Sequence, residues 1–207
     1  MMNNLIRVLG HELRNSLTPM SSMADTLLSS EVLNETQTRK VLSRIQQRSD
    51  RLMTFIEQYS QLSQLPPAQA KWFDFSALII EAKAMVSQSS QVHFKGNNQC
   101  YGDINQVAQV LINILKNAEE AVTEKNCQVN ITLYSIKNEQ VIEVSDNGPG
   151  FANLANVLTP FYTTKPRGSG IGLSLCAEIC RNHQGQLSVS NTTNAGAKIV
   201  MSWPIAQ

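Results

Sequence analysis

Up to about residue 65 the chain holds one proline, Pro19, and one glycine, Gly10, and then Pro66 and Pro67 stand side by side. A stretch so poor in breakers has helical composition, and a double proline ends a helix because it removes donors and clashes with the preceding turn. Apolar residues recur at Leu5, Leu9, Leu13, Leu17, Met20, Ala24, Leu27 and Leu28, the 3–4 spacing of one amphipathic helix. A second series, Val41, Ile45, Leu52, Phe55, Tyr59 and Leu62, forms nearly a heptad seam that Arg48 interrupts. Ser29 to Thr36 between them is polar and turn-like. The expectation is a helical hairpin with a thin core of its own, and pairing of two hairpins into a four-helix bundle is the simplest repair. Pro19 deletes the backbone bond to residue 15 and should bend the first arm.

Beyond the double proline the pattern mixes types. Phe75 to Ser87, Ile104 to Glu124 and Ser174 to Asn182 read as helices. Val92 to Lys95, Gln128 to Ser135, Gln140 to Ser145, Gln186 to Ser190 and Ala197 to Trp203 read as strands, several alternating like paired ones. The fold class is α+β, with a mostly antiparallel sheet after the hairpin. The 207 residues are 42% hydrophobic and 16% charged, which suits a buried core and opposes wholesale disorder. A net charge of +1 opposes bulk electrostatic capture of nucleic acid. Four scattered cysteines do not make a disulfide framework, no apolar run approaches the roughly 20 residues of a membrane span, and the first residues do not read as a signal peptide.

Four clusters carry possible chemistry. On the first helix, at about 100° per residue, His11 points opposite the apolar stripe, with Glu12 beside it and Asn15 one turn along the same wet face. A lone exposed histidine is equally an inert surface residue. Zinc is excluded as a reading of this His-Glu pair, because the position that HExxH would fill with histidine is Asn15. On the long helix Asn113 and Asn117 share a face; two amide oxygens can hold a hard cation or simply bond a nearby loop. Asp146 ends a strand and is followed by Asn147, Gly148, Pro149 and Gly150, either an ordinary turn or a carboxylate placed for a ligand amino group. Gly168, Gly170 and Gly172 open the last helix, where backbone N–H groups can meet phosphate, though the spacing is not the dinucleotide fingerprint. Ala152 to Arg167 upstream has the length and composition of a lid. Five of the ten glycines lie between Gly148 and Gly172.

In order and spacing these clusters resemble the catalytic core of a two-component sensor histidine kinase over nearly the whole chain. HELRNSLTP looks like its H-box, LINILKNAEEA its N-box, DNGPG its first glycine box, PFYTT its F-box and GSGIGL its second glycine box. The resemblance implies a dimerisation and phosphotransfer hairpin at residues 1–65, forming a four-helix bundle, and a Bergerat-type α/β sandwich binding ATP at 69–207. It implies that His11 accepts the γ-phosphate on a ring nitrogen, with Glu12 orienting it or taking its proton. It implies that Asn113 and Asn117 hold Mg²⁺, that Asp146 takes the adenine amino group, and that Gly148 and Gly150 let the base approach the backbone. Gly168, Gly170 and Gly172 would bring the lid's end to the phosphates, with Thr164 and Lys165 from the lid. Many members carry a basic residue three positions after the second N-box asparagine, where this chain has Glu120; Lys116 precedes Asn117, and Lys165 or Arg167 in the lid could substitute, which leaves the γ-phosphate cation open among them. Glu12 followed by Asn15 fits the family pattern for phosphatase activity toward the phosphorylated regulator. The implied partners are a second copy through the N-terminal helices and a response-regulator receiver domain, with no nucleic acid.

Two rival expectations are an ATPase of the same sandwich fold that phosphorylates nothing and a degenerate scaffold; the exposed His11 opposes the first, and five filled boxes oppose the second. The expected setting is cytoplasmic, as the core of a longer protein whose absent N-terminal region would supply any membrane anchor. Cys176 and Cys180 are expected to pack, His93 and His183 show no partners in sequence, Trp72 and Trp203 read as core or boundary aromatics, and Met20, Met23 and Met53 read as bundle packing.

Overall fold

The computed structural model describes every residue except 1, 31–33, 87–89, 123–125, 166, 167, 169, 194, 206 and 207, and omits the side chains of 2–8, 58 and 61. It divides into two compact units, Met1–Gln64 and Leu65–Gln207.

The first unit is the hairpin. Helix α1 spans Met2–Leu28 and α2 spans Glu35–Ser63. Asn34 caps α2, its side-chain oxygen accepting from Thr36 N at 3.0 Å and Gln37 N at 3.3 Å, which satisfies donors that a helix start leaves free. The half-buried positions of α2 include Thr38, Val41, Ile45, Arg48, Leu52, Phe55 and Tyr59, so the heptad seam is real and Arg48 lies within it. Pro19 sits inside α1 and has no N–H for the carbonyl of Asn15. Arg48 Nη1 donates to that carbonyl instead, at 3.3 Å, so the seam's interruption serves the proline's orphan. The apolar stripe of α1 is narrower than its spacing suggests: Leu17 and Leu28 are exposed, as are Leu42, Met53 and Ile56 on α2. Met53 therefore does not pack within a single hairpin, whereas Met20 and Met23 are half-buried.

The second unit is a helix–sheet sandwich. A five-stranded sheet has the order β2-β4-β5-β7-β6, formed by Gln91–Gly96, Gln128–Ile136, Glu139–Asp146, Ala197–Pro204 and Gln186–Asn191. Only β2 and β4 run parallel. Helices α3 (Phe75–Ala84), α4 (Ile104–Ala121) and α5 (Gly172–Asn182) complete it. Period-2 alternation puts Ile131, Val144 and Ile199 in one cross-strand row and Leu133, Ile142 and Met201 in the next, all buried. Leu111, Leu115, Leu175 and Ile179 are among the buried apolar positions of α4 and α5. Each such side chain contributes about 1.5–3 kcal/mol when fully buried.

Two short strands lacked a sequence signal. β1 (Lys71–Asp74) and β3 (Gln99–Gly102) form a separate antiparallel pair, and Trp72 lies exposed on it beside Tyr101. Trp72 is thus a surface aromatic, while Trp203 is core. Buried Gln140 ties the pair to the main sheet: its Oε1 accepts from Tyr101 N at 2.7 Å and its Nε2 donates to Tyr101 O at 3.1 Å. Buried His183 has partners after all, with Nδ1 2.8 Å from Ile179 O and Nε2 accepting from Asp103 N at 2.9 Å. The predicted helix ends at Ser87 and Glu124 lie outside the described residues, as does part of the Ser29–Thr36 turn.

Candidate functional site

The hairpin presents one reactive cluster. The His11 side chain is 71% exposed, on the outward face that the periodicity predicts. Asn15 Nδ2 lies 3.0 Å from His11 Nδ1, and Glu12 Oε1 lies 3.5 Å from the same nitrogen. Nε2 has no partner among the described residues.

The sandwich brings its own set together at the ends of β5, α4 and α5. Asp146 closes β5, and its Oδ1 accepts from Gly148 N at 2.9 Å and Ala197 N at 3.0 Å. Two backbone donors on one oxygen fix the carboxylate and leave Oδ2 as the acceptor for a ligand donor. Gly148 is buried, and a Cβ there would stand 3.0 Å from Asp146 Oδ1 and 3.3 Å from Ala121 Cβ. Gly150 has φ +78°, a conformation that favours glycine, and Asn191 braces the next residue by accepting from Phe151 N at 2.7 Å and donating to Phe151 O at 3.0 Å.

Asn113 and Asn117 face the start of α5. A Cβ on Gly172 would meet Asn117 Nδ2 at 3.6 Å and Asn113 Oδ1 at 3.7 Å, so the helix begins against both amides. α5 has no side-chain cap, and its first turn offers backbone N–H groups where an anion is favoured. Gly170 has φ +69°, and its carbonyl accepts from Phe161 N at 2.9 Å; a Cβ there would clash with the Phe161 carbonyl carbon. Gly168 N donates to Lys165 O at 3.1 Å, and Lys165 N donates to Thr163 Oγ1 at 3.1 Å. Gly168 and Gly170 therefore serve close approach within the lid, and Gly172 is the glycine nearest the asparagines. Thr164 is exposed.

Among the described residues, Lys165 is the lid cation that reaches the N-box. Its Nζ donates to Asn117 Oδ1 at 3.1 Å and to Glu120 Oε2 at 2.6 Å. Glu120, one turn after Asn117, thus positions a lid lysine instead of supplying charge itself. The complementary signs were visible in sequence; the pairing of residues 45 apart was not. Lys116 is exposed and joins no described hydrogen bond or ion pair, and Arg167 lies outside the described residues. An ammonium already rests on Asn117 Oδ1, and the oxygens of Asn113, Asn117 and Glu120 suit a hard cation, so Mg²⁺ fits the donor set. Among the described residues no group of three His, Cys, Asp or Glu side chains could hold a metal, and no described helix is long and apolar enough to cross a membrane.

Residues 1–67 match the His Kinase A (phospho-acceptor) domain, and residues 102–207 match the histidine kinase-, DNA gyrase B-, and HSP90-like ATPase family. Sporulation kinase B of Bacillus subtilis is 25% identical over 98% of this chain and 49% of its own length. The sensor protein kinase PilS of Pseudomonas aeruginosa is 30% identical over 91% of this chain and 38% of its own. The chain thus spans about half, or less, of the length of these curated relatives. Among solved structures, the catalytic domain of histidine kinase ThkA superposes with a TM-score of 0.58 at 28% identity, covering 66% of this chain and 95% of that one. ThkA in complex with response regulator protein TrrA aligns over 98% of this chain and 61% of that one, with a TM-score of 0.66 at 22% identity. With an ATPase-family match over the sandwich and a phospho-acceptor match over the hairpin, the chain belongs to the histidine kinases and is a two-component histidine kinase catalytic core.

Proposed function

We propose that this chain is an ATP-dependent protein-histidine kinase core that autophosphorylates His11 and passes the phosphoryl group to an aspartate of a response-regulator receiver domain. The observation that carries the proposal is the His11 ring: Nδ1 is engaged by neighbours while Nε2 is open on an exposed face. A nucleophile for phosphoryl transfer needs that access.

In the sandwich, Asp146 Oδ2 would accept the adenine amino group, and Gly148 and Gly150 would let the base lie against the backbone. Asn113 and Asn117 would hold Mg²⁺, which when bound neutralises phosphate charge. The first-turn N–H groups of α5 beside Gly172 would meet the phosphates. Thr164 and Lys165 would approach from the lid, with Lys165 taking the place of the family's N-box cation. The exposed apolar residues Leu17, Leu28, Leu42, Met53 and Ile56 support a homodimer through the N-terminal helices. The solved complex of ThkA with response regulator protein TrrA supports a response regulator as the second partner.

Incubation with γ-labelled ATP tests the reading. Label should appear on the protein, acid-labile and base-stable as a phosphoramidate is; label only in free phosphate would mean an ATPase, and no turnover a scaffold. Phosphatase activity is proposed on the same surface. The Asn15 amide can orient a water toward an acyl phosphate docked against His11. Asn15→Ala should then retain transfer to the regulator and lose most acceleration of phospho-regulator decay; equal decay with wild type would remove Asn15 from that step.

A further inference from the structure

Asn15 and Glu12 make incompatible demands on one ring nitrogen. Asn15 Nδ2 is 3.0 Å from His11 Nδ1. An amide nitrogen only donates, so Nδ1 must offer its lone pair, and the single proton of a neutral imidazole is then on Nε2. Glu12 Oε1, 3.5 Å from the same Nδ1, is a carboxylate oxygen that accepts. Pairing with Glu12 requires the other tautomer, with Nδ1–H and a bare Nε2. The shorter contact belongs to Asn15. The Asn15 backbone is also anchored, because Arg48 on α2 donates to the Asn15 carbonyl that Pro19 leaves without a helical partner.

We propose that Asn15 is a positioning residue that restrains autophosphorylation by holding His11 in the Nε2–H tautomer, and that the ring becomes a nucleophile when Glu12 replaces the amide at Nδ1. The proposal rests on His11 being the phosphoacceptor. In the competent tautomer the Nε2 lone pair forms the N–P bond to the γ-phosphorus. The bond from that phosphorus to the bridging oxygen breaks, and ADP leaves with its electron pair. The Nδ1 proton passes to the Glu12 carboxylate. In the tautomer held by Asn15 the outward nitrogen has no lone pair, and no acceptor faces its proton among the described residues. The amide proposed to serve the phosphatase reaction thus quiets the kinase reaction at the same histidine.

The test pairs a ring spectrum with a rate, using the whole chain labelled with ¹⁵N-histidine. At pH about 9 imidazole is neutral, and its nitrogen shifts report the tautomer directly. Wild type should show His11 mainly as Nε2–H. Asn15→Asp, whose carboxylate accepts from Nδ1–H, should reverse the ratio, and Asn15→Ala should fall between. The kcat of Asn15→Ala for autophosphorylation should rise about fivefold, the ratio that one net hydrogen bond sustains, with KM for ATP unchanged. A wild-type ring already dominated by Nδ1–H, or the same ratio in all three proteins, overturns the proposal. A shifted ratio with no rise in kcat overturns the restraint. Absence of label on His11 in every protein overturns the phosphoacceptor reading and the restraint with it, and the spectra then show separately whether Asn15 holds the ring.

Discussion

In the hairpin the residues of interest face water, and the apolar side chains beside them are only half-covered: Leu17, Leu42 and Met53 are each at least 50% exposed. In the sandwich the residues of interest are braced from behind, as Asp146 is by two backbone donors and Gln140 and His183 are by buried bonds to distant chain. The first arrangement suits a group that must be reached by several partners in turn, and it leaves apolar surface for the proposed second copy to cover. The second suits a ligand that must be oriented, and it carries its own core. On the proposed reading, an accessible phosphoacceptor and a braced nucleotide site are thus divided between two units of one chain.

Substitutions matched across the two units sharpen that division. Leu115→Ala empties a fully buried site, so unfolding of the sandwich should become easier by about 2–5 kcal/mol, read from denaturant curves of Trp203 fluorescence in a Trp72→Phe background. Leu42→Ala should leave that transition unchanged and instead raise the dimer dissociation constant in sedimentation; a shifted sandwich transition would break the comparison.

Ligand binding should respond only to the sandwich. Asp146→Ala or Asn117→Ala removes one half-buried polar partner, a loss of about 1–3 kcal/mol or roughly 5- to 150-fold in affinity for a non-hydrolysable ATP analogue with Mg²⁺. Calorimetry giving wild-type affinity for both would mean the site is misplaced.

Alkaline pH should also separate the units, because all four cysteines lie in the sandwich, buried and unpaired. Burial pushes the Cys100 and Cys180 thiols up from about 9 to about 12, and raises Cys176 and Cys127 as well. A folded value raised above the unfolded one means stability that is whole below about 9 and is lost as pH rises toward 12. Thiolate absorbance should therefore appear near the ordinary value in denaturant and be held back in the native chain; coincident titrations would contradict the packing.

The smallest effect belongs to the lid. Lys165 and Glu120 are 35% and 43% exposed, so Glu120→Gln should change stability by no more than about 1 kcal/mol while freeing Lys165 from one oxygen. A large loss of stability would mean that this pair supports the fold.

The sequence revealed most where one period dominates. The α1, α2 and α4 stripes, the β4 and β5 alternation and the clustered glycines each follow from short-range geometry, so His11, Asn117 and Asp146 stand out as candidates in the sequence alone, and the roles proposed for them come from the order and spacing of the clusters. β1 and β3 were not legible because four residues are too few to show an alternation, and their pairing joins distant segments. Gln140 and His183 were silent for a related reason: their partners are backbone groups 39 and 80 residues away, and no local pattern marks a polar side chain as buried. Arg48 appeared as a flaw in the heptad, and its use emerged only when it met the carbonyl that Pro19 leaves open.

The division of labour itself is tested most directly by His11→Ala measured twice on the same preparation. Binding of the ATP analogue by calorimetry should match wild type, and incubation with γ-labelled ATP should leave no label on the protein. Label remaining on the variant, or a loss of nucleotide affinity comparable to that of Asp146→Ala, would contradict the account.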